Sequence, residues 1–80
     1  MFRLLESDGC HLCEQAKQLL QQTHVVTYGC ELVDIAESDA LIEAFGERIP
    51  VLEHINSGQQ LGWPFNFEQL NTWLQDVMNL

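Results

Sequence analysis

The chain has 80 residues, of which 46% are hydrophobic, and this length suits one small domain with a modest core over residues 1–80. Its formal net charge is −9, from 12 acidic and 3 basic residues. Nucleic-acid binding requires clustered Lys and Arg, so this charge argues against that class of function. No run approaches the roughly 18 apolar residues of a membrane span, and residues 1–10 lack the apolar core of a signal peptide. We therefore expect a cytoplasmic protein that binds neither nucleic acid nor membranes.

The first half of the chain alternates predicted strands and helices. Phe2, Leu4 and Leu5 form a short apolar segment that ends at the turn-forming residues 7–9, which indicates a buried strand that enters a tight loop. From Leu12 to Leu20 the apolar residues recur at spacings of three and four, which is typical of an amphipathic helix. Residues 25–33 are rich in β-branched and aromatic side chains and predict a second strand.

The second half begins with a short predicted helix and a β-hairpin. Ser38 or Asp39 can cap the helix, and Gly46 lies at its C-terminal end. Residues 50–55 predict a third strand, and residues 59–62 return as its hairpin partner after a short turn.

A final helix completes the predicted order β-α-β-α-β-β-α. Asn66 and Gln69 have the spacing of a capping box, so this helix should begin after Asn66. Its apolar residues follow a helical period: Phe67, Leu70, Trp73, Leu74 and Val77. Alternating strands and helices favour parallel pairing through right-handed crossovers, whereas the hairpin is antiparallel. We predict an α/β fold with a mixed four-stranded sheet and helices on both faces.

Two cysteines, in the motif Cys10-His11-Leu12-Cys13, stand at the junction of the first strand and the first helix. Free N–H groups and the dipole at a helix N-terminus favour a thiolate there, and a second thiol nearby allows disulfide exchange. Cys10 precedes the helix and is assigned the nucleophile. Cys13 falls on the apolar face, which suits a more buried resolving thiol. Cys30, in the second strand, is predicted to be a buried core residue.

This order, with a CxxC opening the first helix and an Ile-Pro opening the third strand, resembles the glutaredoxin-like form of the thioredoxin fold. The likeness extends over residues 2–77 and is to the short bacterial glutaredoxin-like proteins. The motifs that carry it are Cys10-His11-Leu12-Cys13, Arg48-Ile49-Pro50-Val51 and Trp63-Pro64-Phe65-Asn66.

The resemblance implies a thiol–disulfide oxidoreductase whose CxxC cycles between dithiol and disulfide. In the thioredoxin fold the bond before the matching proline is cis and faces the CxxC, so a cis Ile49-Pro50 bond is expected. This arrangement leaves the backbone of Ile49 free to pair with an extended substrate segment. Substrate binding is accordingly assigned to Leu12, Ile49, Pro50 and Trp63.

Two segments differ from glutaredoxins that bind glutathione. Many of those proteins have a basic residue just ahead of the first cysteine and a Gly-Gly-x-Asp turn after the fourth strand. Both groups hold the carboxylates of glutathione, but here Asp8 occupies the first segment and Trp63-Pro64 the second. We expect no bound cofactor and a monomeric protein. Its expected partners are a disulfide-containing protein or small molecule and a reductant such as glutathione or the thioredoxin system.

Charged residues around Cys10 should act on its pKa in opposite directions. His11 is assigned to catalytic support: protonated it would lower the pKa, and neutral it could relay protons, the alternative being an exposed polar residue without a role. Asp8 and Glu14 would raise the pKa if their carboxylates lie close. Because the helix N-terminus favours the thiolate, we predict a Cys10 pKa below the free value of about 8.5.

Three other charged or titratable residues have no assigned catalytic role. Arg48 is expected to pair at the surface with Glu47 or Asp34, the alternative being that it binds a substrate carboxylate or offsets the charge of Cys10. The isolated His24 and His54 are expected to be either solvated or packed against neighbours.

Two alternative functions remain open from the sequence. The CxxC and His11 offer soft ligands for a metal or an iron–sulfur cluster, but a closed zinc site needs four ligands and only one CxxC is present. No residue is therefore assigned to a resident metal, and a cluster shared by two subunits remains an alternative. The other alternative is a peptide-binding module with reduced catalysis, against which the intact cysteine pair argues.

Overall fold

The computed structural model describes residues 1–23 and 29–78. His24 and the first part of the predicted second strand lie outside the described residues. The elements are β1 (Phe2–Glu6), α1 (His11–Leu20), β2 (Cys30–Asp34), a 3-10 turn (Ile35–Glu37), α2 (Asp39–Phe45), β3 (Val51–His54), β4 (Gln60–Gly62) and α3 (Phe67–Met78). Within the described ranges, no helix is long and apolar enough to span a bilayer.

The four strands form one mixed sheet in the order β2-β1-β3-β4. β1 runs parallel to β2, with Phe2 opposite Cys30. It runs antiparallel to β3, with Leu5 opposite Val51, and β3 pairs with β4 in a hairpin. The predicted mixed sheet is confirmed.

Helices cover both faces of the sheet. Neighbouring strand residues point to opposite sides, so the apolar residues of β1 give each face a surface to bury. Leu4 belongs to a cluster with residues of α1 and α3, whereas Leu5 belongs to a second cluster with residues of the 3-10 turn and α2. The first cluster contains Phe2, Leu4, Ala16, Leu20, Leu52, Phe65, Leu70 and Val77. The second contains Leu5, Ile35, Phe45 and Val51. Each fully buried leucine stabilises the fold by roughly 1.5–3 kcal/mol, so the two clusters fix both layers of helices against the sheet.

The predicted helix starts are confirmed at both caps. The Ser38 hydroxyl accepts a hydrogen bond from the Leu41 N–H at 3.4 Å, so Ser38, rather than Asp39, caps α2. Asn66 and Gln69 form a reciprocal capping box at α3, with distances of 2.8 and 2.9 Å between the bonded atoms. These bonds satisfy N–H groups that have no partner within the helix.

The strand register places the CxxC loop, Pro50 and Trp63 at one end of the sheet and Cys30 at the other. β1 ends at Glu6 and leads directly into the CxxC loop, while Pro50 immediately precedes Val51, the partner of Leu5. Trp63 joins the same end because its N–H donates to the Pro50 carbonyl at 3.1 Å. Cys30 lies at the opposite end, where it pairs with the first residue of β1.

Cys30 was predicted to be a buried core residue, but it is only half-buried. It packs at the margin of the first cluster, and Leu32 on the same strand is 55% exposed. The physical reason is the position of β2, which lies at the edge of the sheet and pairs only with β1 among the described strands.

Candidate redox site

The two cysteines of the CxxC are joined as a disulfide at the start of α1, with their Cα atoms 5.2 Å apart. Cys10 is the N-cap residue and has an extended backbone, with φ −90° and ψ 105°. Its Sγ accepts a hydrogen bond from the Cys13 N–H at 3.1 Å. An N–H group directed at a sulfur favours negative charge on it, because the donor and the helix dipole both stabilise an anion.

The two sulfurs differ in exposure in the predicted direction. Cys10 is half-buried, whereas Cys13 has no exposed surface and lies on the buried face of α1 with Ala16 and Leu20. An incoming disulfide therefore reaches Cys10 more readily than Cys13. This difference is what a nucleophile and a resolving thiol require.

A small surface depression of about 150 Å³ lies at Cys10 and is lined by Gly9, Cys10, His11 and Glu14. Gly9 has φ +74°, a left-handed conformation that glycine adopts without a steric penalty, and this allows the chain to turn from β1 into α1. His11 is exposed, and the neighbouring Leu12 side chain is 44% exposed. Leu12, the apolar residue between the two cysteines, is thus open to solvent, where it can contact a substrate.

Lys17 connects two carboxylates next to the CxxC, a feature that the sequence pattern did not reveal. Its Nζ lies 2.5 Å from the Glu6 carboxylate and 3.3 Å from that of Glu14. The hydrogen bond to Glu6 is the main cause that holds the pKa of Lys17 above its ordinary value. The spacing of Glu14 and Lys17 on one helix could have suggested their pair, but Glu6 is brought in only by the fold.

The Ile49-Pro50 bond is cis, as expected, and Pro50 is fully buried. The expectation of a free Ile49 backbone is wrong for its N–H, which donates to the Phe45 carbonyl at 3.2 Å. The chain leaves α2 in a turn just before Pro50, and this turn directs the Ile49 N–H back to the last residue of the helix. The contact depends on where α2 ends relative to Ile49 in the folded chain, which the sequence does not reveal.

Trp63 is partly buried beside the first cluster and packs edge-on against Phe65, with ring centroids 5.0 Å apart. The Trp63-Pro64 bond is also cis, which sequence reasoning missed. A larger groove of about 540 Å³ lies between β4 and α3 and does not include either cysteine of the CxxC. Pro64 lines this groove, whereas Trp63 itself contacts Pro50 and the core.

Arg48 does not form the predicted pair with Glu47 or Asp34. Its guanidinium donates to the Gln60 side-chain oxygen at 3.0 Å and lies 5.2 Å from the centre of the Phe45 ring. Gln60 reaches Arg48 because the β3–β4 hairpin returns it to this position, a tertiary contact that local sequence cannot indicate.

Arg3 and His54 are also held by neighbours. Arg3 forms an ion pair with Glu53 across β1 and β3. His54 was expected to be either solvated or packed, and it is packed: the residue is buried, and its Nδ1 lies 2.7 Å from the Ser57 hydroxyl.

Cys30 has surroundings that oppose ionisation. Burial raises the pKa of its thiol, and a hydrogen bond from the Leu4 backbone offsets this effect only in part. Among residues 1–23 and 29–78, no group of three or more His, Cys, Asp or Glu side chains is placed to hold a metal ion. Within the described residues, the CxxC therefore offers two sulfur ligands, and no third His, Cys, Asp or Glu side chain is placed to join them on a metal ion.

A dithiol or disulfide pair at a helix N-terminus, on a mixed four-stranded sheet with a cis-proline at the same end, defines a thioredoxin-like protein with a redox-type CxxC. The model of the Glutaredoxin-like domain (DUF836) matches residues 3–75 of the chain. The chain belongs to this glutaredoxin-like family. Its Cys10 and Cys13 pair at disulfide distance supports a redox thiol–disulfide role.

Solved structures agree with this assignment. The crystal structure of the structural genomics target XcR50 from X. campestris is 37% identical and has a TM-score of 0.85, covering 95% of this chain and 97% of its own. The solution structure of XcR50, also 37% identical, has a TM-score of 0.80 and coverages of 94% and 92%. The solution structure of Ne2328 from Nitrosomonas europaea shares the fold, with 22% identity, a TM-score of 0.74 and coverages of 90% and 87%. No curated protein gives a significant match.

Proposed function

We propose that the protein is a thiol–disulfide oxidoreductase in which Cys10 is the nucleophile and Cys13 the resolving thiol. The observation that carries the proposal is the hydrogen bond from the Cys13 N–H to the Cys10 Sγ at 3.1 Å. It joins the half-buried sulfur to a helix N-terminus, and the buried partner sulfur is already within bonding distance.

In the reducing direction, the Cys10 thiolate attacks one sulfur of a substrate disulfide. The substrate S–S bond breaks, one substrate thiolate leaves and takes up a proton, and a mixed disulfide with Cys10 forms. Cys13 then loses its proton and attacks the Cys10 Sγ, which releases the second substrate thiol. Two electrons have passed from the protein to the substrate, and the new bond is the Cys10–Cys13 disulfide. A thiol reductant, such as glutathione or a thioredoxin system, returns the pair to the dithiol.

We assign the substrate surface to Leu12, Ile49, Pro50 and Trp63, which belong to the same end of the sheet as the CxxC loop. Leu12 offers exposed apolar area, and Trp63 is held against Pro50 by its backbone hydrogen bond. Because the Ile49 N–H is occupied, we assign its carbonyl oxygen to accept a hydrogen bond from an extended substrate. His11 lines the depression at Cys10 and is the proposed proton donor to the leaving thiolate.

The chain's three Lys and Arg residues are each held by another partner, which bears on the reductant. Arg3 is bound to Glu53, Lys17 to Glu6 and Glu14, and Arg48 to Gln60. Arg3 and Lys17 are thus paired with carboxylates, whereas the hydrogen bond from Arg48 to the neutral Gln60 does not offset its positive charge. Because two of the three cations are already paired and the chain is strongly acidic, the substrate we propose is a protein disulfide or a small disulfide without carboxylates.

Reaction of the reduced protein with hydroxyethyl disulfide tests the proposal. We expect the wild type to end with a Cys10–Cys13 disulfide, and the Cys13→Ser variant to stop at a mixed disulfide on Cys10, identified by mass and peptide mapping. Cys30→Ser is the matched control and should behave like the wild type. A stable adduct on Cys30, or the absence of any adduct in Cys13→Ser, would overturn the assignment.

A further inference from the structure

We propose that Glu14 makes the Cys10 site selective for disulfides that carry positive charge over those that carry negative charge. This inference rests on the proposed function and adds a substrate class to it. Glu14 lines the same depression as Cys10, and its side chain is 67% exposed. A carboxylate in that position faces any molecule that approaches the nucleophile.

The position of Glu14 is fixed by α1. Its N–H donates to the Cys10 carbonyl at 3.2 Å in the first helical bond, so the two residues are one turn apart on the same side of the helix. Its carboxylate is further held by Lys17 at 3.3 Å. This ion pair limits the positions that the Glu14 carboxylate samples, and the residue lines the depression at Cys10.

Lys17 does not neutralise this site. Its ammonium group lies closer to Glu6 than to Glu14, and two carboxylates share one positive charge. The cluster of Glu6, Glu14 and Lys17 thus keeps one net negative charge. The exposed Asp8 in the loop ahead of Cys10 adds another.

The rest of the chain strengthens this negative field. Arg3 and Arg48 are the only other Lys or Arg residues in the sequence. Glu53 offsets the charge of Arg3, whereas the neutral Gln60 leaves the charge of Arg48 in place. The formal net charge of the whole chain is −9. Such a field raises the local concentration of cations and lowers that of anions, with an effect that added salt screens.

Charge selection of this kind acts on the approach of the substrate rather than on the exchange of bonds. The Cys10 thiolate still displaces a substrate thiolate, and Cys13 still releases the second one, whatever the charge of the substrate. Selectivity should therefore appear in the second-order rate constant for reaction of reduced protein with disulfide. A changed Cys10 pKa would alter this constant equally for every substrate, so the ratio between substrates reports the charge effect alone.

Three symmetrical disulfides provide the probes: cystamine with two ammonium groups, hydroxyethyl disulfide with no charge and dithiodipropionate with two carboxylates. The three reactions are run at the same pH of about 8, close to the free thiol pKa. Each rate is divided by the rate of the same disulfide with mercaptoethanol, which removes intrinsic reactivity. At low ionic strength we expect the normalised rate for cystamine to exceed that for dithiodipropionate by about tenfold, falling to about twofold in roughly 0.5 M salt.

Glu14→Gln should lower the ratio of cystamine to dithiodipropionate about threefold at low ionic strength. Glu43→Gln, an equal charge change on the exposed surface of α2, is the matched control and should leave the ratio nearly unchanged. A wild-type ratio near one, or equal effects of both variants, would overturn the role of Glu14 while leaving the oxidoreductase intact. Failure of all three disulfides to oxidise the CxxC would instead overturn the proposed function, and the inference with it.

Discussion

Cys10 and Cys30 lie at opposite ends of one sheet, and their surroundings act on a thiol in opposite directions. Cys10 caps a helix and accepts an N–H hydrogen bond, which favours the thiolate. Cys30 lies on an edge strand, where burial raises the pKa of its thiol. In the reduced protein both residues carry a thiol group, but Cys10 stands at a helix N-terminus and Cys30 in a β-strand. Both residues are half-buried, so the proposed difference in reactivity rests on the position of each cysteine relative to a helix N-terminus rather than on its exposure.

The largest difference between the two cysteines should appear in catalysis. Cys10→Ser should lower turnover of hydroxyethyl disulfide by roughly a thousandfold or more, because no nucleophile replaces the thiolate. Cys30→Ser should keep turnover within about twofold, since Cys30 takes no part in the proposed exchange. Steady-state assays with equal amounts of folded protein, checked by circular dichroism, measure both. Comparable losses in the two variants would remove the distinction.

A second difference should appear in the pH dependence of alkylation. In the reduced protein we expect a Cys10 midpoint below about 8.5, and a Cys30 midpoint above its ordinary value because its pKa is raised by burial. Near pH 7.5 Cys10 should therefore react with iodoacetamide about tenfold faster or more, since the thiolate is the reactive form. Mass spectrometry of the separate peptides gives both profiles in one sample. A Cys10 profile that coincides with that of Cys30 would show that the helix N-terminus has no effect.

The smallest expected effect concerns the ion pairs beside Cys10. Lys17→Gln should lower the free energy of unfolding at neutral pH by about 1 kcal/mol, as for partly exposed ion pairs. Because the folded state raises the pKa of Lys17, this contribution is complete below its unfolded value of 10.5 and is lost as the pH rises through the higher folded value. Urea unfolding at a series of pH values measures the difference between variant and wild type.

Lys17→Arg serves as the matched control because it keeps the positive charge at the same position on α1. It should retain most of the stability at neutral pH. A Lys17→Gln deficit that stays constant above pH 10.5, or an equal deficit in Lys17→Arg, would indicate lost packing of the lysine side chain rather than lost ion pairing.

The fold could be predicted from the sequence because its strongest signals are local. The capping box of Asn66 and Gln69 and the apolar period of α1 each depend on a few neighbouring residues. The CxxC at a strand–helix junction and the cis Ile49-Pro50 bond followed from a family resemblance with specific motifs. These features were expected in the places where the structure has them.

The features that sequence reasoning missed depend on contacts between distant segments. Arg48 meets Gln60 only because the hairpin returns, and Lys17 meets Glu6 only because α1 packs beside the end of β1. Cys30 was predicted to be buried because its strand has an apolar pattern, but the pattern does not reveal which strand lies at the edge of the sheet. Local sequence propensity constrains where helices and strands form. The partners of charged side chains depend instead on which segments pack together in the fold.

The central claim is that Cys10 and Cys13 form one two-electron redox pair, and a redox titration with residue-level readout tests it most directly. The protein is equilibrated at a series of ratios of reduced to oxidised dithiothreitol, quenched in acid, and alkylated after unfolding. We predict that alkylation of Cys10 and Cys13 rises together along a single two-electron curve, while Cys30 is alkylated at every ratio. Separate curves for Cys10 and Cys13, or a curve that includes Cys30, would contradict the account.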